Sequence, residues 1–127
     1  MRIENLKPLL KVVISKPGSQ DLTKECDALI DTGATHTFVS QKVIDELGLD
    51  VHTSASGTME DASNNENKVT IYVANILLEN HSQSVKTPVG SFKGKKECDV
   101  IIGMDIIQHG QLFIGGNKLN FVIKGLQ

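Results

Sequence analysis

The chain is poor in aromatic residues, in cysteine and in net charge, and each shortage removes a class of function. Aromatic side chains make up 4% of the 127 residues, too few for the stacking platforms that hold single-stranded nucleic acid. The formal net charge is −2, with Lys and Arg dispersed among Asp and Glu, so there is no basic stripe to follow a phosphate backbone. No nucleic-acid partner is expected. From Met1 to Ser15 charged and apolar residues alternate, without the continuous apolar run of a signal peptide or a membrane span. This predicts a soluble, cytoplasmic protein that does not engage a membrane. Cys26 and Cys98 lack C-x-x-C spacing and read as reduced thiols, although a pairing between them stays open. His36, His52, His81 and His109 are scattered without metal-site spacing, so neither a metal nor a cofactor is expected.

The chain is long enough for one modest core without disulfides or metals, and has no linker or low-complexity segment. Residues 1–127 therefore read as a single domain. Leu9 to Ile14 and Glu25 to Asp31 read as strands around the turn signal Lys16-Pro17-Gly18, an opening hairpin. Ser40 is a helix-capping residue type, Val43, Ile44 and Leu47 share one helical face, and Gly48 is placed to end the helix. A polar stretch from Gly57 to Lys68, with Ala62-Ser63-Asn64-Asn65 at its centre, precedes a long strand from Val69 to Leu78. Val85 to Val89 and Asp99 to Ile102 read as further strands, and Asp105 to His109 as a helical turn before Gly110. Leu112 to Ile114 and Leu119 to Ile123 read as a hairpin around Gly115-Gly116-Asn117. Many short strands with few helical residues indicate an all-β barrel or sandwich.

Two segments carry the chemistry. Ala28-Leu29-Ile30 delivers Asp31 into the turn Thr32-Gly33, where a hydroxyl and exposed backbone N–H groups can support a carboxylate among apolar neighbours. Later, Val100-Ile101-Ile102 runs into Gly103-Met104-Asp105. Glu25-Cys26-Asp27-Ala28-Leu29-Ile30 aligns with Glu97-Cys98-Asp99-Val100-Ile101-Ile102 at a constant offset of 72 positions, which places Gly103 where Asp31 stands. This is an internal two-fold repeat, and only one of its halves carries the carboxylate.

Apolar-apolar-Asp-Thr-Gly-Ala followed by apolar-apolar-Gly-x-Asp resembles the retropepsin-like aspartic proteases, and its motifs are closest to those of retrotransposon and bacterial members. The resemblance spans about Asp27 to Ile123. It implies a small closed β-barrel with one or two short helices, acting as a symmetric homodimer. It implies an aspartic endopeptidase in which Asp31, Thr32 and Gly33 of each subunit form the catalytic loop. Thr32 would bond the opposite loop. An extended peptide or protein substrate would lie over Ala34 and Thr35, beneath a flap hairpin tipped by Ala62, Ser63 and Asn64, with Ile102 lining a side-chain pocket. Viral members usually carry an acidic residue after the alanine, paired with a basic residue in the second motif. Here Thr35 and Met104 stand at those positions.

Other readings of the same residues stay open. Asp31 alone also fits a buried aspartate capping a turn, or a phosphoryl-transfer aspartate, although no lysine, Gly-rich phosphate loop or set of metal-binding carboxylates accompanies it. A catalytically silent retropepsin-like module for peptide binding or dimerisation fits the same barrel. Asp99 and Asp105 read as a strand-edge charge and a helix cap rather than as metal ligands alongside Glu97.

Overall fold

Apolar residues at every second position dictate most of the strands. The computed structural model describes residues 1–19, 21–60, 66–95 and 97–127, with backbone alone for 53–60 and 66–69. Among these residues the elements are β1 (Arg2–Glu4), β2 (Lys7–Ser15), β3 (Thr23–Ile30), β4 (Phe38–Ser40), α1 (Gln41–Leu47), β5 (Val51–Glu60) and β6 (Glu66–Leu78). There follow β7 (Val85–Phe92), β8 (Val100–Ile102), α2 (Met104–Ile107), β9 (Gln111–Gly115) and β10 (Lys118–Val122). Six strands close into a ring in the order β2-β3-β8-β4-β7-β6, and β6 returns to β2 through the pairs Val12–Leu78 to Ser15–Asn75. β1 and β5 extend the sheet outside the ring, while β9 and β10 form a separate two-stranded sheet. The fold is thus the all-β closed barrel with two short helices that the sequence implies.

In β2 the side chains of Leu10, Val12 and Ile14 enter the core while Lys11 stays exposed, and in β3 Cys26, Ala28 and Ile30 do the same. Val39, Ala74, Ile76, Val89, Val100 and Ile102 complete the lining, and Phe121 of β10 is fully buried against them. Each aliphatic side chain buried this way contributes about 1.5–3 kcal/mol. The ion pairs outside, such as Arg2–Asp27 at 3.3 Å and Lys7–Glu97 at 2.8 Å, are solvated and contribute little. Apolar burial therefore holds the ring.

α1 forms as the sequence requires. The Ser40 hydroxyl accepts the Val43 N–H at 3.4 Å, Val43, Ile44 and Leu47 are buried, and Gly48 ends the helix at φ 62°. The repeat also has a physical counterpart. β3 and β8 are parallel neighbours, with Ala28 opposite Val100, Leu29 opposite Ile101 and Ile30 opposite Ile102, so the sequence offset of 72 is the register of the pair. Strand β1 is not anticipated by the sequence. It returns into β2 through Asn5 and Leu6 at φ 52° and 63°, a left-handed turn for which Leu is a costly and therefore unexpected choice. β6 begins at Glu66, three residues before the expected start, because it pairs with β5 up to Glu60–Glu66.

Both thiols are free and buried. Cys26 belongs to the main core cluster and Cys98 lies outside it. Burial, reinforced by nearby Asp99, raises the Cys26 thiol from 9.0 to about 11. A proton held more tightly in the folded state stabilises below pH 9, and that contribution is lost as the pH rises through 11. Urea unfolding at pH 8 and pH 11 should show a loss of about 2 kcal/mol, most of it absent in Cys26→Ala. An equal loss in the variant would exclude Cys26 as its source.

Candidate active site

β3 ends one residue short of Asp31, whose N–H still continues the parallel ladder by donating to the Ile102 carbonyl at 2.9 Å. The chain then turns. The Ala34 N–H donates to the Asp31 carbonyl at 3.1 Å, and the Gly33 N–H donates to Asp31 Oδ1 at 2.9 Å. An aspartate that accepts from the backbone two residues ahead stabilises a turn with a charge-assisted bond. A Cβ on Gly33 would lie 3.3 Å from Oδ1, so glycine leaves the carboxylate its space. Asp31 and Ala34 are half-buried, and Thr32, Gly33, Thr35 and His36 are exposed. The loop presents its carboxylate at the surface instead of enclosing it.

The second motif holds the loop from behind. Gly103 occupies a gap that admits no side chain, since a Cβ there would lie 2.3 Å from the His36 carbonyl oxygen and 2.9 Å from that of Ala34. Met104 N–H donates to the Ala34 carbonyl at 2.8 Å and Asp105 N–H to that of Thr35 at 3.2 Å. Asp105 Oδ2 accepts the Thr37 N–H at 3.0 Å, while Oδ1 accepts the Thr37 hydroxyl at 2.7 Å and the Ile106 N–H at 2.9 Å. The Thr37 oxygen in turn accepts the Gly103 N–H at 3.1 Å. Thr37 is fully buried, and its hydroxyl is satisfied as both donor and acceptor.

This network corrects two readings and adds a residue. Asp105 is not the N-cap of α2. Gly103 holds that position without a side-chain bond, and the Asp105 carboxylate accepts the first-turn Ile106 N–H while also spanning to Thr37. Ile102, expected in a side-chain pocket, is fully buried within the core cluster and offers a ligand no surface. The apolar surface on this motif belongs to Met104, 37% exposed. Thr37 is not singled out by the sequence, because a threonine at a strand entrance is common and only the fold brings Asp105 to it. Ala62, Ser63 and Asn64 lie outside the described residues. Among the described residues, Glu97, Asp99 and Asp105 form no cluster of metal-ligating side chains, and no helix is long and apolar enough to cross a membrane. Cavities of about 530 and 510 Å³ are lined chiefly from β5, β6 and β7 and from α2 and the last residues, and Asp31 lines neither.

Comparison with known proteins places this geometry. The family model described as "gag-polyprotein putative aspartyl protease" matches residues 23–109, which includes both motifs and more than half of the chain. The chain belongs to this family of retropepsin-like aspartic proteases. Among solved structures it is similar to EIAV protease complexed with an inhibitor, at 19% identity and TM-score 0.58, over 83% of this chain and 90% of that one. The retroviral protease-like domain of Ddi1 from Leishmania major aligns at 15% identity and TM-score 0.58, covering 94% and 92% of the two chains. A retropepsin-like aspartic protease from Rickettsia conorii aligns at 17% and TM-score 0.56, covering 95% and 93%. At these identities the structures establish the shared fold. No curated protein sequence matches the chain.

Gly103→Ala should destabilise the fold by about 3 kcal/mol and lower Tm by roughly 10 °C, because the obstructing atoms are backbone. Thr37→Val should cost about 1–3 kcal/mol through the Gly103 N–H it leaves unpaired and the hydroxyl donor that Asp105 Oδ1 loses. Thermal denaturation of the two variants checks both, and a Tm within about 2 °C of wild type for either would contradict the clamp.

Proposed function

We propose that this protein is an aspartic endopeptidase whose catalytic centre is assembled from the Asp31 loops of two identical subunits. The observation that carries this reading is an incomplete site: a surface carboxylate on a rigidly backed Asp-Thr-Gly loop, with Gly103 at the repeat-equivalent position. Family membership and the barrel support it. Hydrolysis of an amide by water needs a base for the water proton and an acid for the carbonyl oxygen and the departing nitrogen. One carboxylate in one protonation state cannot fill both roles.

Two carboxylates about 3 Å apart at an effective dielectric near 20 repel by roughly 5 kcal/mol, equivalent to about four pKa units. One proton is therefore shared between them, the arrangement known for aspartic-protease pairs, and the pair titrates as a unit. The ionised Asp31 takes a proton from the bound water while the protonated copy donates to the scissile carbonyl. Collapse of the tetrahedral intermediate returns a proton to the leaving amine. Thr32 crosses to the opposite loop and holds the carboxylates coplanar, and Gly33 permits close approach of the substrate backbone.

The substrate is an extended peptide that pairs along Ala34 and Thr35 on the floor and along the β5–β6 hairpin above, with alternate side chains in pockets. Ile102 is buried in the core, and Met104, exposed beside the loop, supplies the apolar surface there. Thr35 and Met104 cannot form an ion pair, so no such pair supports the loop here.

A diverse peptide mixture incubated with wild type and with Asp31→Asn, at concentrations that favour a dimer and from acid to neutral pH, tests the proposal by mass spectrometry. Cleavage should fall by roughly 10³-fold or more in the variant, and the wild-type profile should be bell-shaped. A profile flat into alkaline pH would exclude the shared proton. Absence of cleavage by a confirmed wild-type dimer would favour a silent peptide-binding module.

A further inference from the structure

We propose that the cavity enclosed by β7, α2 and the last residues of the chain binds a small aliphatic carboxylate, its hydrocarbon tail on an apolar floor and its charge at a lysine rim. The cavity measures about 510 Å³, within the range of sites that hold small organic ligands. Asp31 is not among its walls, so a molecule held here would leave the catalytic loop uncovered.

Three segments far apart in sequence make the walls, and each is fixed by bonds of its own. β7 is a strand of the closed ring, between β4 and β6. The Asp105 carboxylate ties the first turn of α2 to the backbone and hydroxyl of Thr37. The segment after β10 is fastened to the turn between β6 and β7. There the Ile123 N–H donates to His81 Nε2 at 3.0 Å, and the Leu126 carbonyl accepts the Ser82 N–H at 2.9 Å and the Gln83 N–H at 3.1 Å. The space between these walls is set by the framework of the fold and does not depend on a loose surface loop.

The chemistry of the lining selects the occupant. Ile106 and Ile123, 2% and 7% exposed, belong to the core cluster, and the half-buried Val85 and Leu126 pack against it, so the floor is aliphatic. Lys86, His109 and Lys124 are exposed members of the same lining. Among the described residues neither lysine has a carboxylate partner, unlike Lys7, Lys11, Lys16 and Lys24. Asp105 is the one carboxylate on the wall among these residues, and both its oxygens are engaged by Thr37 and Ile106. Two lysines against one committed carboxylate leave the rim net positive. A bare anion would meet the lysines and leave the floor in water, while a neutral hydrocarbon would cover the floor and leave the lysines without a partner. An aliphatic carboxylate satisfies both. Each methylene it buries is worth about fourfold in affinity, and each solvated lysine contact somewhat less, so chain length sets the strength of binding and the charge sets its direction.

Calorimetric titration of the whole chain with octanoate and decanoate, below the concentrations at which they form micelles, tests the site. Decanoate should bind about 10-fold more tightly than octanoate, and decanol roughly 10-fold more weakly than decanoate. The double variant Lys86→Gln, Lys124→Gln changes two exposed side chains and should keep the wild-type far-UV spectrum while weakening decanoate by roughly 10-fold, to the level of decanol. In an amide NMR titration the resonances of Lys86, His109 and Ile123 should move with decanoate. The site is overturned by an affinity that does not change with chain length, or by a double variant that binds decanoate as wild type does. It is equally overturned by resonance shifts confined to other exposed apolar residues such as Phe113 and Ile114. Binding is read without any substrate. A chain that binds decanoate here and cleaves no peptide therefore counts against the protease reading alone, and one that cleaves peptide without binding decanoate counts against this site alone.

Discussion

The parallel pairing of β3 with β8 is the constraint on which the rest of this structure depends. It is one of the joints of the six-stranded ring, and the same ladder runs one residue beyond β3 to fix the backbone of Asp31 against Ile102. At the end of that ladder the chain segments approach so closely that the repeat-equivalent residue can only be glycine. The fold is therefore closed and its carboxylate positioned by one set of backbone bonds, supported by the apolar side chains on either side of it.

Two aspartates of the site illustrate how surroundings divide labour among identical groups. Asp105 accepts three hydrogen bonds, from the Thr37 N–H, the Thr37 hydroxyl and the Ile106 N–H, and its oxygens are committed to holding the loop. Among the described residues Asp31 accepts one, from Gly33, and most of its acceptor capacity is left open. A fully satisfied carboxylate makes a good strut and a poor reagent. The reverse holds for one that is anchored through a single bond and left at the surface.

Much of this was legible in the sequence, for identifiable reasons. Ser40, Val43, Ile44, Leu47 and Gly48 specify α1 because capping and periodicity are local. The repeat of Glu25–Ile30 in Glu97–Ile102 anticipated a structural relation, although not that the copies would lie side by side in register. Thr37 and the true partner of Asp105 were not legible, because their bond joins residues 68 positions apart and neither residue type is unusual where it stands. The burial of Ile102 is not legible for a related reason. In β8 all three residues are buried, so the run Val-Ile-Ile has no alternation from which to tell an inward side chain from one near the loop. β1 is not legible because its turn uses Leu6 in a conformation that Leu seldom adopts.

The long separation between the halves of the clamp also governs timing. Asp31-Thr32-Gly33 leaves the ribosome well before the groups that clamp it from behind, from the Ile102 carbonyl to the Asp105 carboxylate. Contacts of such range form only once the intervening chain is available, and they form slowly. Until then the loop is an ordinary flexible turn, so the nascent chain carries the motif without carrying the site.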